Sequence, residues 1–528
     1  LKHNLSTILS STLIPMAFIL ALIPIVLILF LMVGRRWGAA RAGAAGYLSA
    51  LLIALLFFGA GTELLVYAHA KAFFLTIDVL MIIWAAFLLY RVADEAGAIR
   101  VISDALPHLT GDSVMQALII GWVFASFLQG VGGFGVPVAV IAPILVGLGF
   151  SPLAAVVIPS IGHGWSVTFG SLGSSFQALM AATGLPGEQL AMPAAVLLGV
   201  VCLVSGWMVA HAAEGWAAVR RLWTPILVIG VVMGVVQALV VSVGFWNIGA
   251  FVGAVAGLVV TVPLARRYRG EQGEHRNLKP RSVAVALSAY VVTVAVILAV
   301  QLIPSIKTYL SGVVIQVEFP QTITAMDSLN PGFVFPAGSG RPIVLFRHTG
   351  VLLAFASLVA YYIYKFAGLY EPGASRRILD GTLRRVISSS VSIISMVSMA
   401  VIMEQTGMTQ ILARGLAGGM GVIYPLVAPW IGGLGAFMTG SNTNSNVVFG
   451  SLQLHTALIL GYSVTIILAG QTAGAAVASI LAPTKVVVGA STAGMEGREG
   501  YVMRKLFVYV ALLLLLVSLM TAAGVLFL

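Results

Sequence analysis

The chain has 528 residues, 60% of them hydrophobic and 9% charged, with a mean hydropathy of +1.06 and a formal net charge of +11. Such a composition excludes a water-soluble globular domain and points to a polytopic helical membrane protein embedded in a lipid bilayer. The positive charge does not indicate a nucleic-acid partner, because Lys and Arg gather in short segments between apolar runs, the pattern that sets membrane topology. Cys202 is the one cysteine, which excludes an intramolecular disulfide and argues against a metal–thiolate cluster.

Taken in order, the apolar run 12–33 is too long for a signal-peptide core, and Arg35, Arg36 and Arg41 follow it. It reads as a first span with its N-terminus outside, in the inner (plasma) membrane. Further runs long enough to span are 43–59, 72–90, 193–213, 223–243, 246–265, 283–303, 343–364, 386–403 and 506–527. Two longer stretches, 113–179 and 418–488, are apolar but interrupted by Gly, Pro and polar residues. The basic segments 266–281, 365–385 and 498–505 are assigned to the cytoplasm, and 304–341, poor in charge and rich in Pro and Gly, to an external structured loop or short hairpin.

The chain repeats itself weakly. Leu148-Gly-Phe-Ser151 matches Leu460-Gly-Tyr-Ser463, and Gly162 falls on Gly474 at the same spacing. Asp94-Glu-Ala-Gly97 falls near Glu404-Gln-Thr-Gly407. Counting spans from the basic loops puts Asp94 inside and Glu404 outside. Equivalent positions on opposite sides predict inverted structural repeats, each with a re-entrant helical hairpin and a broken transmembrane helix. The expected division is 1–221 for the first repeat, 222–282 for linking helices and a cytoplasmic loop, and 283–528 for the second repeat, with its external loop at 304–342.

The most informative segment is Gly440-Ser-Asn-Thr-Asn-Ser-Asn446, a polar run inside apolar sequence. Backbone that leaves the helix at membrane depth must be buried in protein or line a wet cavity. Its amides and hydroxyls suit a small polar solute or a partly dehydrated ion. The repeat sets Gln129-Gly-Val-Gly-Gly-Phe-Gly-Val-Pro137 opposite it, a glycine-rich hairpin whose tip amides could seat a carboxylate. A second break follows each hairpin, at Gly162-His-Gly164 with Ser166 and Thr168, and at Gly470-Gln-Thr472. The predicted substrate-binding residues are therefore Gln129, Gly132, Gly133, Phe134, Gly135, His163, Ser166, Ser441, Asn442, Thr443, Asn444, Asn446, Gln471 and Thr472. His163, Asp78 and Glu404 are the candidates for proton coupling. If sodium binds instead, Ser441, Asn442 and Thr443 would hold it. Lys485, after Pro483, either attracts an anion or snorkels to the cytoplasmic surface.

These segments, with Asn330-Pro-Gly-Phe-Val-Phe-Pro-Ala-Gly-Ser-Gly340, Phe449-Gly-Ser-Leu-Gln453 and Leu481-Ala-Pro-Thr-Lys485, closely resemble the lactate permease family over essentially the whole chain. That family looks like part of the ion transporter superfamily, whose divalent-anion/sodium symporters carry Ser-Asn-Thr at their hairpin tips, as Ser441-Asn442-Thr443 does here. The first hairpin lacks that triplet. The resemblance implies proton symport of a small 2-hydroxy monocarboxylate (lactate or glycolate), no cofactor beyond the coupling H+, an elevator-like motion and a homodimer. The alternatives are Na+ coupling, another small organic anion such as a sulfonate, an anion channel, or an intramembrane hydrolase using His163 with Ser166 or Ser479 with Lys485. No enzymatic activity is expected.

Overall fold

A computed structural model of the chain describes residues 2–35, 37–133, 135–268, 280–325, 332–340 and 342–527. Phe134, most of the basic loop 266–281, the Asn330-Pro331 pair and Arg341 lie outside the described residues. The described part is helical nearly throughout, and twelve of its helices are long and apolar enough to cross a membrane. Apart from its first and last turns, a helix satisfies its backbone groups within the segment, which is what hydrocarbon requires.

One sequence of elements occurs twice. A long helix (Thr62–Glu95, then Ala374–Gln405) ends on a glycine with positive φ, Gly97 at 69° and Gly407 at 80°. Glycine stands there because a left-handed residue carries no β-carbon penalty only when it is glycine. A shorter helix follows, Ala98–Ala105 in one case and Met408–Met420 in the other. Next come a hairpin, a broken span and a closing helix. The first hairpin is Ser113–Val131 and Val136–Gly147; the second is Tyr424–Thr439 and Asn442–Leu460. The broken spans are Pro152–Gly164 with Ser174–Thr183, and Val464–Ala478 with Pro483–Thr492. Gly187–Glu214 and Glu499–Phe527 close the two units. Trp223–Ser242 and Gly249–Arg267 stand between them.

The two long helices pack side by side and antiparallel. At one end Lys71 Nζ lies 3.7 Å from Glu404, and at the other Arg377 Nε donates to Glu95 at 2.5 Å. Midway, Trp84 Nε1 donates to Ser390 Oγ at 2.9 Å. The units also exchange partners: each hairpin's return helix packs against the second piece of the other unit's broken span.

Two expectations need correction. The Asn-rich run is not irregular backbone, since only Gly440, at φ 71°, and Ser441 leave the helix. Asn442 to Asn446 form the first turns of the return helix and are buried in protein. The run fails as lipid-facing helix, yet protein neighbours satisfy it without unwinding. In addition, the span read at 343–364 begins later, at Thr349. Ile343-Val344 is instead the last strand of an antiparallel ladder that pairs 314–315 with 343–344, 318–319 with 338–339 and 322–323 with 334–335. This ladder crosses the Lys71–Glu404 end of the molecule. Ala325 N donates to Gly59 O at 2.9 Å, and Thr322 Oγ1 donates to Gln405 Oε1 at 2.9 Å.

Candidate functional site

The hairpin tips and the breaks of both spans meet around one small cleft of about 20 Å³. Its lining is Gln129, Val167, Ser171, Ser174, Ser175, Gly440, Ser441, Asn442, Thr443 and Lys485. Four helices of ten residues or more begin at or beside it: Val136–Gly147, Ser174–Thr183, Asn442–Leu460 and Pro483–Thr492. Their free amides and positive dipole ends therefore converge on one small volume, which favours an anion.

Hydrogen bonds lock the second tip onto the first broken span. Asn442 Nδ2 donates to Thr168 Oγ1 at 3.0 Å, and Thr168 Oγ1 in turn reaches Thr472 O at 3.2 Å. Because Thr168 gives its proton to a carbonyl, Asn442 must present its NH2 there, which leaves its oxygen elsewhere. Ser175 Oγ and Thr443 Oγ1 are 3.1 Å apart. Asn446 Nδ2 donates to Ser175 O and to Thr472 Oγ1, both at 2.9 Å. Around the first tip, Ser171 Oγ occupies the place where a β-carbon on Gly133 would sit, so that residue must be glycine. Ser171 and Leu172 themselves adopt positive φ, 46° and 55°. Such backbone in non-glycine residues costs of order 1–3 kcal/mol and concentrates where ligands bind.

Three polar atoms of cleft residues are buried without a partner: Gln129 Oε1, Ser174 Oγ and Asn442 Oδ1. Lys485 is 8% exposed and sits beside Gly135, so it does not snorkel to the surface. Its Nζ donates to Ser479 Oγ at 3.0 Å. The Ser479 hydroxyl spends its own proton on Ala476 O, so the lysine is a donor here and not a base acting on the serine. The site thus combines a buried ammonium, four helix N-termini, one unpaired hydroxyl and two unpaired amide oxygens.

Of the predicted residues, Gln129, Ser441, Asn442 and Thr443 line this cleft, with Gly133 and Gly135 against it. Gly132 sits at the same tip but packs against Tyr90. Asn444 turns to Ser392 of the second long helix, Nδ2 to Oγ 3.0 Å. Asn446 and Thr472 support the cleft from behind, while Gln471 joins a buried chain with Ser445 and Gln453. His163 and Ser166 are buried but absent from the lining. His163 Nδ1 bonds to Pro159 O at 2.6 Å, and Ser166 Oγ donates to the His163 carbonyl rather than to its ring. No serine–histidine pair of the hydrolase type is formed between them. The predicted binding set did not include Thr168, although it was noted at the same break, nor Ser171, Ser174 and Ser175, which follow it in the chain.

The proton-coupling candidates separate as well. Asp78 and Glu404 line a separate cavity of about 160 Å³ beneath the β-ladder, together with Lys71, whose Nζ lies 3.7 Å from Glu404. Asp78 Oδ2 accepts from Gln177 Nε2 at 2.7 Å, and Oδ1 lies 3.0 Å from His348 Nε2. His348 Nδ1 accepts from Gly350 N, so its ring proton sits on Nε2, facing Asp78. His348 had not been singled out. Among the described residues no group of three or more His, Cys, Asp or Glu could hold a metal ion.

Comparison with known proteins adds an independent finding. The family model described as L-lactate permease matches residues 17–528. An L-lactate permease of Bacillus subtilis (strain 168) is 28% identical, over 95% of this chain and 94% of that protein. The glycolate permease GlcA of Escherichia coli (strain K12) is 29% identical, over 92% of this chain and 91% of its own. Among solved structures, the Alcanivorax borkumensis YdaH transporter aligns with a TM-score of 0.49 at 15% identity, covering 88% of this chain and 87% of that one.

Proposed function

Because the chain belongs to the L-lactate permease family, we propose that it is a secondary active transporter importing small 2-hydroxy monocarboxylates, L-lactate or glycolate, by proton symport. One observation carries the choice of substrate: the cleft pairs an anion seat with unpaired acceptors. A carboxylate fits the Lys485 ammonium, the converging helix N-termini and the Ser174 hydroxyl. A neighbouring 2-hydroxyl would donate to Gln129 Oε1 or Asn442 Oδ1. The names of the relatives agree with this chemistry.

The transport mechanism proposed is alternating access by inverted repeats. Its support is that corresponding long helices run antiparallel, with Lys71–Glu404 at one end and Arg377–Glu95 at the other. The Glu95 end also carries Arg91, Arg220, Arg221, Arg376 and Arg385, which makes it the cytoplasmic end by the positive-inside rule. Proton coupling is placed at Asp78 and His348, because Gln177, which binds Asp78, stands on the same helix as Ser174 and Ser175 of the cleft. Adding a proton to Asp78 would cost it one of its donors, and the short helix Ser174–Thr183 would feel the change. Sodium coupling has its own supporting observation: Asn442, Asn444 and Asn446 each bury an unpartnered side-chain oxygen near the second tip.

The test is uptake of radiolabelled L-lactate and glycolate by the purified protein in liposomes, under separate pH and sodium gradients. Concentrative uptake driven by an inward proton gradient is expected, and Asp78→Asn should abolish accumulation while retaining exchange. Accumulation driven by sodium alone would replace the proton reading, and downhill flux that neither gradient can drive would indicate a channel.

A further inference from the structure

On the proposed cytoplasmic side of the substrate cleft lies a second cavity, of about 300 Å³, whose lining contains two guanidinium groups and no carboxylate. Phe87, Tyr90 and Arg91 of the first long helix form one wall, with Gly381 and Arg385 of the second. Val136 and Ala139 of the first hairpin and Val488, after Lys485 on its helix, form the other. Val136 directly follows Gly135, which stands against the Lys485 side chain. The cavity and the cleft share no lining residue, but the first hairpin and the Pro483–Thr492 helix contribute to both.

Its charge is held in place by the fold. Arg91 Nη1 donates to Asp94 at 2.7 Å and Nη2 lies 3.5 Å from Glu95, while its Nε is buried with no partner. Gly381 makes this possible: a β-carbon there would stand 2.6 Å from Arg91 Nε and 3.0 Å from its Cζ. Arg385 lies with its Cζ 5.8 Å over the Phe87 ring. The acidic groups near this end, Asp94 and Glu95, are engaged by Arg91 and Arg377 and do not line the cavity.

We propose that this cavity is a second anion-binding station, built from Arg91 and Arg385, which receives the carboxylate as it leaves Lys485 for the cytoplasm. The Arg385 guanidinium, with the unpartnered Nε–H of Arg91, whose charge is shared with Asp94 and Glu95, lowers the barrier to moving an anion off a buried ammonium, and raises the local concentration of the same anion when it binds from inside. The inference rests on the transport reading of the cleft and adds the inner step of the path. The ligand class is a small carboxylate. An anionic lipid headgroup has similar chemistry, and the experiment separates the two.

The experiment uses vesicles in which the purified protein has one orientation, first of neutral lipid and then with anionic lipid. The internal and external concentrations of unlabelled L-lactate that give half-maximal exchange are measured separately. Arg385→Gln is expected to raise the internal value at least fivefold and the external value less than twofold, in both kinds of vesicle, and Arg385→Lys should largely restore it. Gly381→Ala, which displaces the Arg91 guanidinium without removing a charge, should shift the internal value in the same direction. Equal shifts on both faces, or none on either, would overturn the station. An effect confined to anionic vesicles would assign the cavity to a lipid headgroup and overturn the substrate reading of it. If the wild-type protein exchanges no 2-hydroxy acid, the transport reading itself fails, and the station with it.

Discussion

At the scale of single residues, the cleft depends on groups that are costly to bury and that a ligand would satisfy. Lys485 shows this most clearly, since an ammonium at 8% exposure has Ser479 as its polar partner among the described residues. Hydrogen bonds to charged groups contribute about 1.5–3 kcal/mol, so losing the one to a substrate carboxylate should weaken apparent affinity roughly 10- to 100-fold. Lys485→Gln is therefore expected to raise the half-saturation for lactate by that factor at matched membrane abundance, measured as initial uptake rate. Lys485→Arg should recover part of the loss. An unchanged half-saturation in Lys485→Gln would remove the lysine from the site. In the sequence, Lys485 could be read either way, because a lysine next to a proline at a helix start is buried or exposed according to what packs over it. The same holds for Ser171, Ser174 and Ser175. Their residue types were visible, but their convergence on the opposite hairpin is a tertiary fact. His163 looked distinctive between two glycines; its Nδ1 is spent on the Pro159 carbonyl one turn back, and its Nε2 is buried without a partner away from the cleft lining.

At the scale of elements, the hairpins were legible because Gly and Pro at membrane depth leave few alternatives to a turn. The first turn falls at Gly132–Gly135 and the second at Gly440-Ser441, each inside the segment read as interrupted. The misread part was the extent of unwinding. Asparagine is a poor helix former in water, but at the start of a helix its side chain has bonds to make. Ser441 Oγ caps that start by accepting from Asn444 N at 3.3 Å. Gly440 allows the turn, since its φ is 71° and an added β-carbon would stand 2.6 Å from Thr484 Oγ1. Gly440→Ala forces a left-handed alanine, at about 1–2 kcal/mol, against the second broken span. A lower thermal unfolding temperature in detergent and a severe loss of uptake are expected together. A variant with normal stability and normal transport would show that the tip tolerates displacement and is not held in register with its neighbours. The β-ladder over the Asp78–Glu404 cavity was only partly anticipated. Its two-residue strands carry no alternation long enough to read, and Ile343-Val344 looks apolar enough to continue into the helix that follows.

At the scale of the whole molecule, composition alone sufficed for the class, because a chain with 9% charged residues has little surface to offer water. The repeat was harder to see. Matched residues are few, and what persists between the units is a succession of shapes: long helix, glycine turn, short helix, hairpin, broken span, closing helix. The proposed inversion makes one demand on the intact protein. Asp104 and Arg414 occupy corresponding exposed positions on the short helices Ala98–Ala105 and Met408–Met420. Asp104 follows the Glu95 end of one long helix, and Arg414 follows the Glu404 end of the other. Asp104→Cys and Arg414→Cys, each in a Cys202→Ser background, would be treated with an impermeant thiol reagent on intact cells and again after permeabilisation. Arg414→Cys is expected to label in intact cells, and Asp104→Cys only once the membrane is opened. The exposed Arg100–Asp104 pair, at 4.0 Å, is too solvated for its loss to disturb folding. If both cysteines label from the same face, the two units share one orientation. The antiparallel long helices would then cross the bilayer as ordinary neighbours, and alternating access would need a different structural basis.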